Sequence, residues 1–216
     1  MFLNFKDENG DEAWPVGRLN ERSGSETKGS DFETVTIKVG REAVLPCFIN
    51  NLGSYKVVWS KNGDVLSYGV EKINMDRRLK IQHRYVSEWH LIIDNVAADD
   101  EGDYICKATG GFYKTIRLEV LMPPTINDLN SVPAGTINLK EDSSITLKCH
   151  AEGKPRPSVK WYRWRVNENK EELSETGYEI TLSKITRNDP NKYECIATNS
   201  VPPATSRIFN IEIHCK

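Results

Sequence analysis

The sequence predicts an all-β chain of two tandem β-sandwiches preceded by a disordered N-terminal tail. Three observations predict it. Apolar and polar residues alternate at period two in short segments separated by turn residues. The order of those segments recurs after Pro123-Pro124, so one unit of about 95 residues occurs twice. Four of the five cysteines fall one pair to each copy.

Residues 1–33 are rich in Gly, Ser, Glu, Asp, Asn and Lys and carry no period, the composition of a flexible tail. Within them, Asp7-Glu8-Asn9-Gly10-Asp11 lacks the glycine position and the downstream bidentate glutamate of a calcium loop, and reads as solvated tail. The stretch Met1–Glu8 turns acidic before an apolar core forms, so no signal peptide is read. A signal removed and replaced, an artificial start and an intracellular protein all fit that reading.

The first domain is expected over 34–122. Val35, Ile37 and Val39 share a face, as do Ala43, Leu45 and Cys47, then Tyr55, Val57 and Trp59. Trp89, Leu91 and Ile93 follow, then Tyr104, Cys106 and Ala108, then Ile116, Leu118 and Val120. Each set is one face of a half-buried strand. Asn62-Gly63-Asp64 and Gly110-Gly111 predict hairpin turns. The second domain, expected over 123–216, repeats the order: Ile145, Leu147 and Cys149; Val159 and Trp161; Ile180 and Leu182; Tyr193, Cys195 and Ala197; and Ile208–Ile213. The prolines between the copies lack backbone donors and stiffen the junction, so an extended two-domain rod is expected.

A formal net charge of −2, with 38% hydrophobic and 28% charged residues, is soluble globular chemistry without the basic excess of a nucleic-acid partner. No apolar run approaches the roughly 20 residues that span a bilayer, so membrane attachment is expected only through segments outside this chain. There is no CxxC and no zinc-like His/Cys spacing. Cys47 with Cys106, and Cys149 with Cys195, close long, unequal loops and read as disulfides formed in an oxidising, extracellular compartment. Cys215 is left over as a free thiol, an intermolecular link, or a residue that meets a missing further domain. No N-x-[ST] sequon occurs, which leaves both sheet faces bare.

The stretch DDEGDYIC, residues 99–106, concentrates acids, but His83, His90, His150 and His214 are scattered. HExxH, GxSxG and phosphate-binding glycine loops are absent from the sequence. The expectation is no enzyme, no metal and no cofactor.

Trp59 stands twelve residues after Cys47, and Trp161 twelve after Cys149, while Tyr104 and Tyr193 stand two before the second cysteines. This resembles the immunoglobulin fold. The resemblance implies that each tryptophan packs on an inter-sheet disulfide and that each tyrosine forms a corner. Asp100-x-Gly102-x-Tyr104-x-Cys106 resembles the E–F corner of the variable and intermediate sets, which implies that Asp100 faces Arg78. Gly102 would supply a turn conformation hard for other residues. The second copy reads Asp189-x-Asn191-x-Tyr193-x-Cys195, where Asn tolerates the left-handed region, and Asp189 has no evident arginine partner. The first unit reads as variable- or intermediate-like. The second, with Gly153-x-Pro155-x-Pro157-x-Val159-x-Trp161, resembles the intermediate set.

The run Val57-Val58-Trp59-Ser60-Lys61, then Val65-Leu66-Ser67-Tyr68, Arg78-Leu79-Lys80-Ile81 and Trp89-x-Leu91-x-Ile93 resembles the first domain of the IgLON, lachesin and Dpr/DIP group of neuronal surface proteins. That resemblance implies a cell-surface recognition protein whose first domain pairs, as a homodimer or with a related ectodomain, through strands C, C′, C″, F and G. Period two selects the side chains on that face: Lys56, Val58 and Ser60; Leu66 and Tyr68; Ile105 and Lys107; Phe112 at the F–G tip with Gly110, Gly111 and Tyr113; and Thr115 with Arg117. Two alternatives stand beside it: an intracellular structural module of a muscle or cytoskeletal array, and a ligand-binding receptor ectodomain or secreted decoy. In the second domain, Tyr162 and Trp164 are expected on an outer face among arginines. Packing across that face is expected rather than a glycan or nucleic-acid site.

Overall fold

The computed structural model describes residues 31–165 and 169–214. The tail up to residue 30, the calcium-loop-like stretch within it and Cys215 lie outside the described residues. In the first domain the strands are β1 (Asp31–Lys38), β2 (Ala43–Leu45), β3 (Val57–Lys61), β4 (Asp64–Tyr68), β5 (Glu71–Lys72), β6 (Leu79–Gln82), β7 (His90–Ile93), β8 (Gly102–Ala108) and β9 (Tyr113–Ile126). The second has β10 (Gly135–Lys140), β11 (Ile145–Lys148), β12 (Ala151–Lys154), β13 (Ser158–Trp164), β14 (Lys170–Thr176), β15 (Glu179–Leu182), β16 (Lys192–Thr198) and β17 (Thr205–His214).

β1 begins three residues before the expected start of the domain. Phe32 and Glu33 pair with Thr115 and Ile116, because β1 lies parallel to β9 over its whole length. In the first sandwich the sheet β1-β9-β8-β3-β4-β5 faces the sheet β2-β7-β6. In the second, β10-β17-β16-β13-β14 faces β11-β15. The alternation works as strand physics requires: Val57, Trp59, Tyr104, Cys106, Ile116 and Leu118 are buried between the first pair of sheets, and Leu147, Val159, Trp161, Cys195 and Phe209 between the second.

Disulfides Cys47–Cys106 and Cys149–Cys195 join the facing sheets, with Cα separations of 6.4 and 6.5 Å. Both tryptophans beside them are fully buried. A buried indole N–H needs an acceptor; Trp59 Nε1 donates to the Trp89 carbonyl and Trp161 Nε1 to the Gly177 carbonyl, each at 2.8 Å.

Asn62 and Gly63 join β3 to β4 with φ of +52° and +91°, the paired positive values of the tight hairpin turn that the Asn-Gly dipeptide predicts. Gly102 has φ +141°, a conformation that a side chain would strain. Asn191, its counterpart, does not take a positive φ, so the second corner is built without using the left-handed region that Asn tolerates.

Candidate functional site

The corner that closes the first domain accounts for three of the acids of residues 99–103. Asp100 accepts hydrogen bonds from Arg78 at 2.5 and 3.0 Å and from the backbone N–H of Ala97 at 2.7 Å. Burial pushes its carboxyl up, but Arg78 and the Ala97 N–H outweigh it and hold the group below the usual carboxylate range. Asp103 takes a bidentate grip from Arg117 at 2.7 and 2.8 Å. Glu101 pairs with Lys154 and accepts the backbone N–H of Val120 at 3.1 Å. The Tyr104 hydroxyl donates to the Asp100 carbonyl at 2.8 Å, the tyrosine corner itself, and Lys61 Nζ donates to the Asp99 and Asp100 carbonyls at 2.9 and 2.8 Å. This machinery serves the fold. Among the described residues no three His, Cys, Asp or Glu side chains gather as metal ligands.

The outer face of β5-β4-β3-β8-β9 carries a different chemistry. Register places Val65 opposite Ser60, Ser60 opposite Ile105, and Ile105 opposite Thr115. The next row is Glu71, Tyr68, Val58, Lys107 and Tyr113. Neighbouring strands lie about 4.8 Å apart, so residues within a row touch. Ile105 is 37% exposed and Tyr68 46%. Phe32, on β1 beside Thr115, extends the first row, with the Arg117 guanidinium 5.7 Å from its ring. At the tip, Gly110 lies against the Tyr55 ring, where a Cβ would come within 2.8 Å, and Phe112 follows two residues on, partly exposed. Lys56 and Lys107 are exposed at the margin and centre of the face and form no ion pair among the described residues.

One expected member of this face is elsewhere. Leu66, expected to point outward, is 6% exposed and packs in the core. The register explains the correction: Ser60 pairs with Val65 and Trp59 with Ser67, so Leu66 is an inserted residue, a β-bulge in β4. A bulge turns one residue out of alternation. Here it sends Leu66 inward and leaves Val65 on the outer face in its stead. Lys56, Val58, Ser60, Tyr68, Ile105, Lys107 and Thr115 fall on the face as the alternation predicts, and Phe112 at its edge. Val65 and Phe32 were missed. Phe32 shares its strand face with Thr34 and Thr36 but stands in the polar stretch that reads as tail.

In the second domain the aromatic strip is occupied by its own neighbours. Lys170 Nζ lies 4.4 Å from the Tyr162 ring centre and Lys192 Nζ 4.3 Å from that of Trp164. Trp164 Nε1 donates to Glu194 at 3.3 Å, and Lys170 pairs with Glu194 at 2.8 Å. Arg163 and Arg165 both grip Glu171 and hold its carboxyl down to about 2. Packing across the strands thus accounts for these residues.

Two disulfide-closed sandwiches, each with a tryptophan against its bridge, define a protein of tandem immunoglobulin domains. Residues 29–120 match the immunoglobulin I-set domain and residues 123–199 the immunoglobulin domain, and the chain belongs to the immunoglobulin superfamily. It is 34% identical over 203 residues to the limbic system-associated membrane protein of Gallus gallus, covering 93% of this chain and 57% of that protein. The chain thus spans little more than half the length of the curated relatives it matches. The solved structure of DIP-gamma IG1+IG2 superposes with a TM-score of 0.74 at 28% identity, covering 88% of this chain and 97% of that one. A chain of the complex of Dpr11 IG1 bound to DIP-gamma gives 0.71 at 29% identity, covering 88% and 98%. The family is non-enzymatic, and its disulfides and kinship with a membrane protein put these domains in the extracellular, cell-surface class.

Proposed function

We propose that the first domain recognises an identical or related immunoglobulin domain on another cell-surface protein, docking the outer face of β5-β4-β3-β8-β9 against the partner's sheet. The observation that carries this reading is the set of apolar side chains Val65, Ile105, Val58, Tyr68 and Tyr113 gathered on one sheet face, with Ser60, Lys107 and Thr115 interleaved among them and Phe32 beside Thr115. Scattered surface apolars are ordinary; an apolar set that crosses four adjacent strands, with lysines at its margin and centre, is an interface composition. The tyrosines bring large contact area at low entropic cost, as binding anchors do. The relatives support the same reading, since a Dpr domain is bound to a DIP chain in one similar structure.

The mechanism is docking without chemistry. Many copies on two membranes multiply a weak pairwise affinity. Lys56 gives the face a positive margin and Lys107 a positive centre, so they steer association and select partners. The test immobilises this chain and a panel of related ectodomains and measures binding to each, with wild-type chain and Lys107→Glu as analytes. At least one ectodomain, this chain included, is expected to bind, with Lys107→Glu changing the salt dependence and the rank order of partners. Binding that Lys107→Glu leaves unchanged at every ionic strength would refute the face assignment.

A further inference from the structure

We infer that the two domains form one rigid body, joined by a shared strand and locked by Lys38, Lys154 and Asn199. The junction contains no free linker. β9 pairs with β1 through Leu121, whose partner is Lys38, and the next residue, Met122, is already the partner of Lys154 on β12. Thr125 and Ile126 continue that second ladder with Glu152 and Ala151. One strand therefore belongs to both sandwiches, and the two ladders meet on consecutive residues. Hinges are made of loop or terminal residues that absorb large φ and ψ changes; here such residues are missing. Pro123 and Pro124 sit inside the second ladder, at its register shift between Met122 and Thr125, where their fixed φ costs nothing and their missing N–H groups leave no donor unpaired.

Side chains brace the strand from both sides. Lys38 Nζ, at the end of β1, donates to the Pro202 carbonyl of the second domain at 2.7 Å. Lys154 reaches in the opposite sense to Glu101 at the first domain's corner, and the same carboxylate oxygen holds the Val120 N–H of the shared strand. Asn199 Nδ2 donates to the Met122 carbonyl at 2.9 Å and to the Pro155 carbonyl at 2.7 Å, while its Oδ1 accepts the Val201 N–H at 2.9 Å. Gly153 lies so close to the strand that a Cβ there would stand 3.1 Å from the Pro123 carbonyl oxygen and from Asn199 Nδ2. Exposed ion pairs are individually weak. These contacts need only bias an already hingeless strand, which is within their reach. Under the function proposed above, the consequence is that the recognition face is held at a set angle to the second domain, so little orientational freedom is lost when it docks.

Residual dipolar couplings on the full chain in a dilute aligning medium test this directly. In the wild type, couplings from both domains are expected to fit one alignment tensor. In Lys38→Ala/Lys154→Ala/Asn199→Ala the second domain's tensor should separate from the first in magnitude and orientation, while each domain's couplings still fit its own coordinates. Two distinct tensors in the wild type would overturn the proposal, and so would a common tensor in the triple variant. Neither result bears on whether the face binds, which the immobilised panel reads separately.

Discussion

At Asp100 one carboxylate meets two guanidinium nitrogens of Arg78 and the N–H of Ala97, and its own backbone carbonyl receives the Tyr104 hydroxyl. Removing the charge leaves Arg78 facing a half-buried site with a poorer acceptor, so Asp100→Asn is expected to destabilise the first domain by about 2 kcal/mol at neutral pH. Denaturant unfolding measures it. The pH dependence has a definite sign. Asp100 titrates lower in the folded chain than in the unfolded one, so its contribution is complete above the unfolded value near 3.9 and is lost as pH falls through the lower, folded value. The gap between wild type and Asp100→Asn should therefore be constant above about pH 5 and close below about pH 4; a gap unchanged down to pH 2 would contradict the pairing. This pair was legible in the sequence because the corner motif fixes both the position of the acid and the strand that must supply its cation. The conformation of Asn191 was not legible, since a residue that tolerates a positive φ is not thereby compelled to adopt one.

Among the strands, β4 separates what alternation can and cannot foresee. Period two is a property of uninterrupted pairing, and it placed the outward residues of β3, β8 and β9 because those ladders run without insertion across the face. An inserted residue reverses parity beyond it, and nothing in Asp64-Val65-Leu66-Ser67-Tyr68 marks where the insertion falls. The cost of the misreading is measurable. Leu66→Ala should destabilise by about 2–4 kcal/mol, as truncation of a core leucine does, and Leu66→Asp should lower the melting temperature of the first domain sharply. Ile105→Asp, on the outer face, should change stability by less than about 1 kcal/mol. Thermal denaturation of the two aspartate variants side by side decides it; equal melting temperatures would place Leu66 back on the surface. The same reasoning explains Phe32. Its strand is an edge held only by β9, and a single aromatic among polar residues gives no period to detect.

For the molecule as a whole, duplication made the architecture readable: the same cysteine-to-tryptophan and tyrosine-to-cysteine spacings, repeated in two copies, mark the sandwich twice over. What one copy does and the other does not is written in outward residues, which the fold leaves free to vary. The first domain turns an apolar band to solvent, and the second covers its aromatics with Lys170, Lys192 and Glu194. On the proposed reading, recognition falls to the first domain, and the second serves as the rigid mount inferred from the shared strand. Ile105 lies within the band, on β8 between Ser60 and Thr115, and a charge there should cost the complex about 2 kcal/mol or more, roughly thirtyfold in Kd. The most direct measurement is the equilibrium affinity of Ile105→Asp for the partner found in the ectodomain panel, taken with its melting temperature. A loss of roughly thirtyfold or more at an unchanged melting temperature is the predicted result; wild-type affinity in a folded Ile105→Asp would show that the partner sits elsewhere.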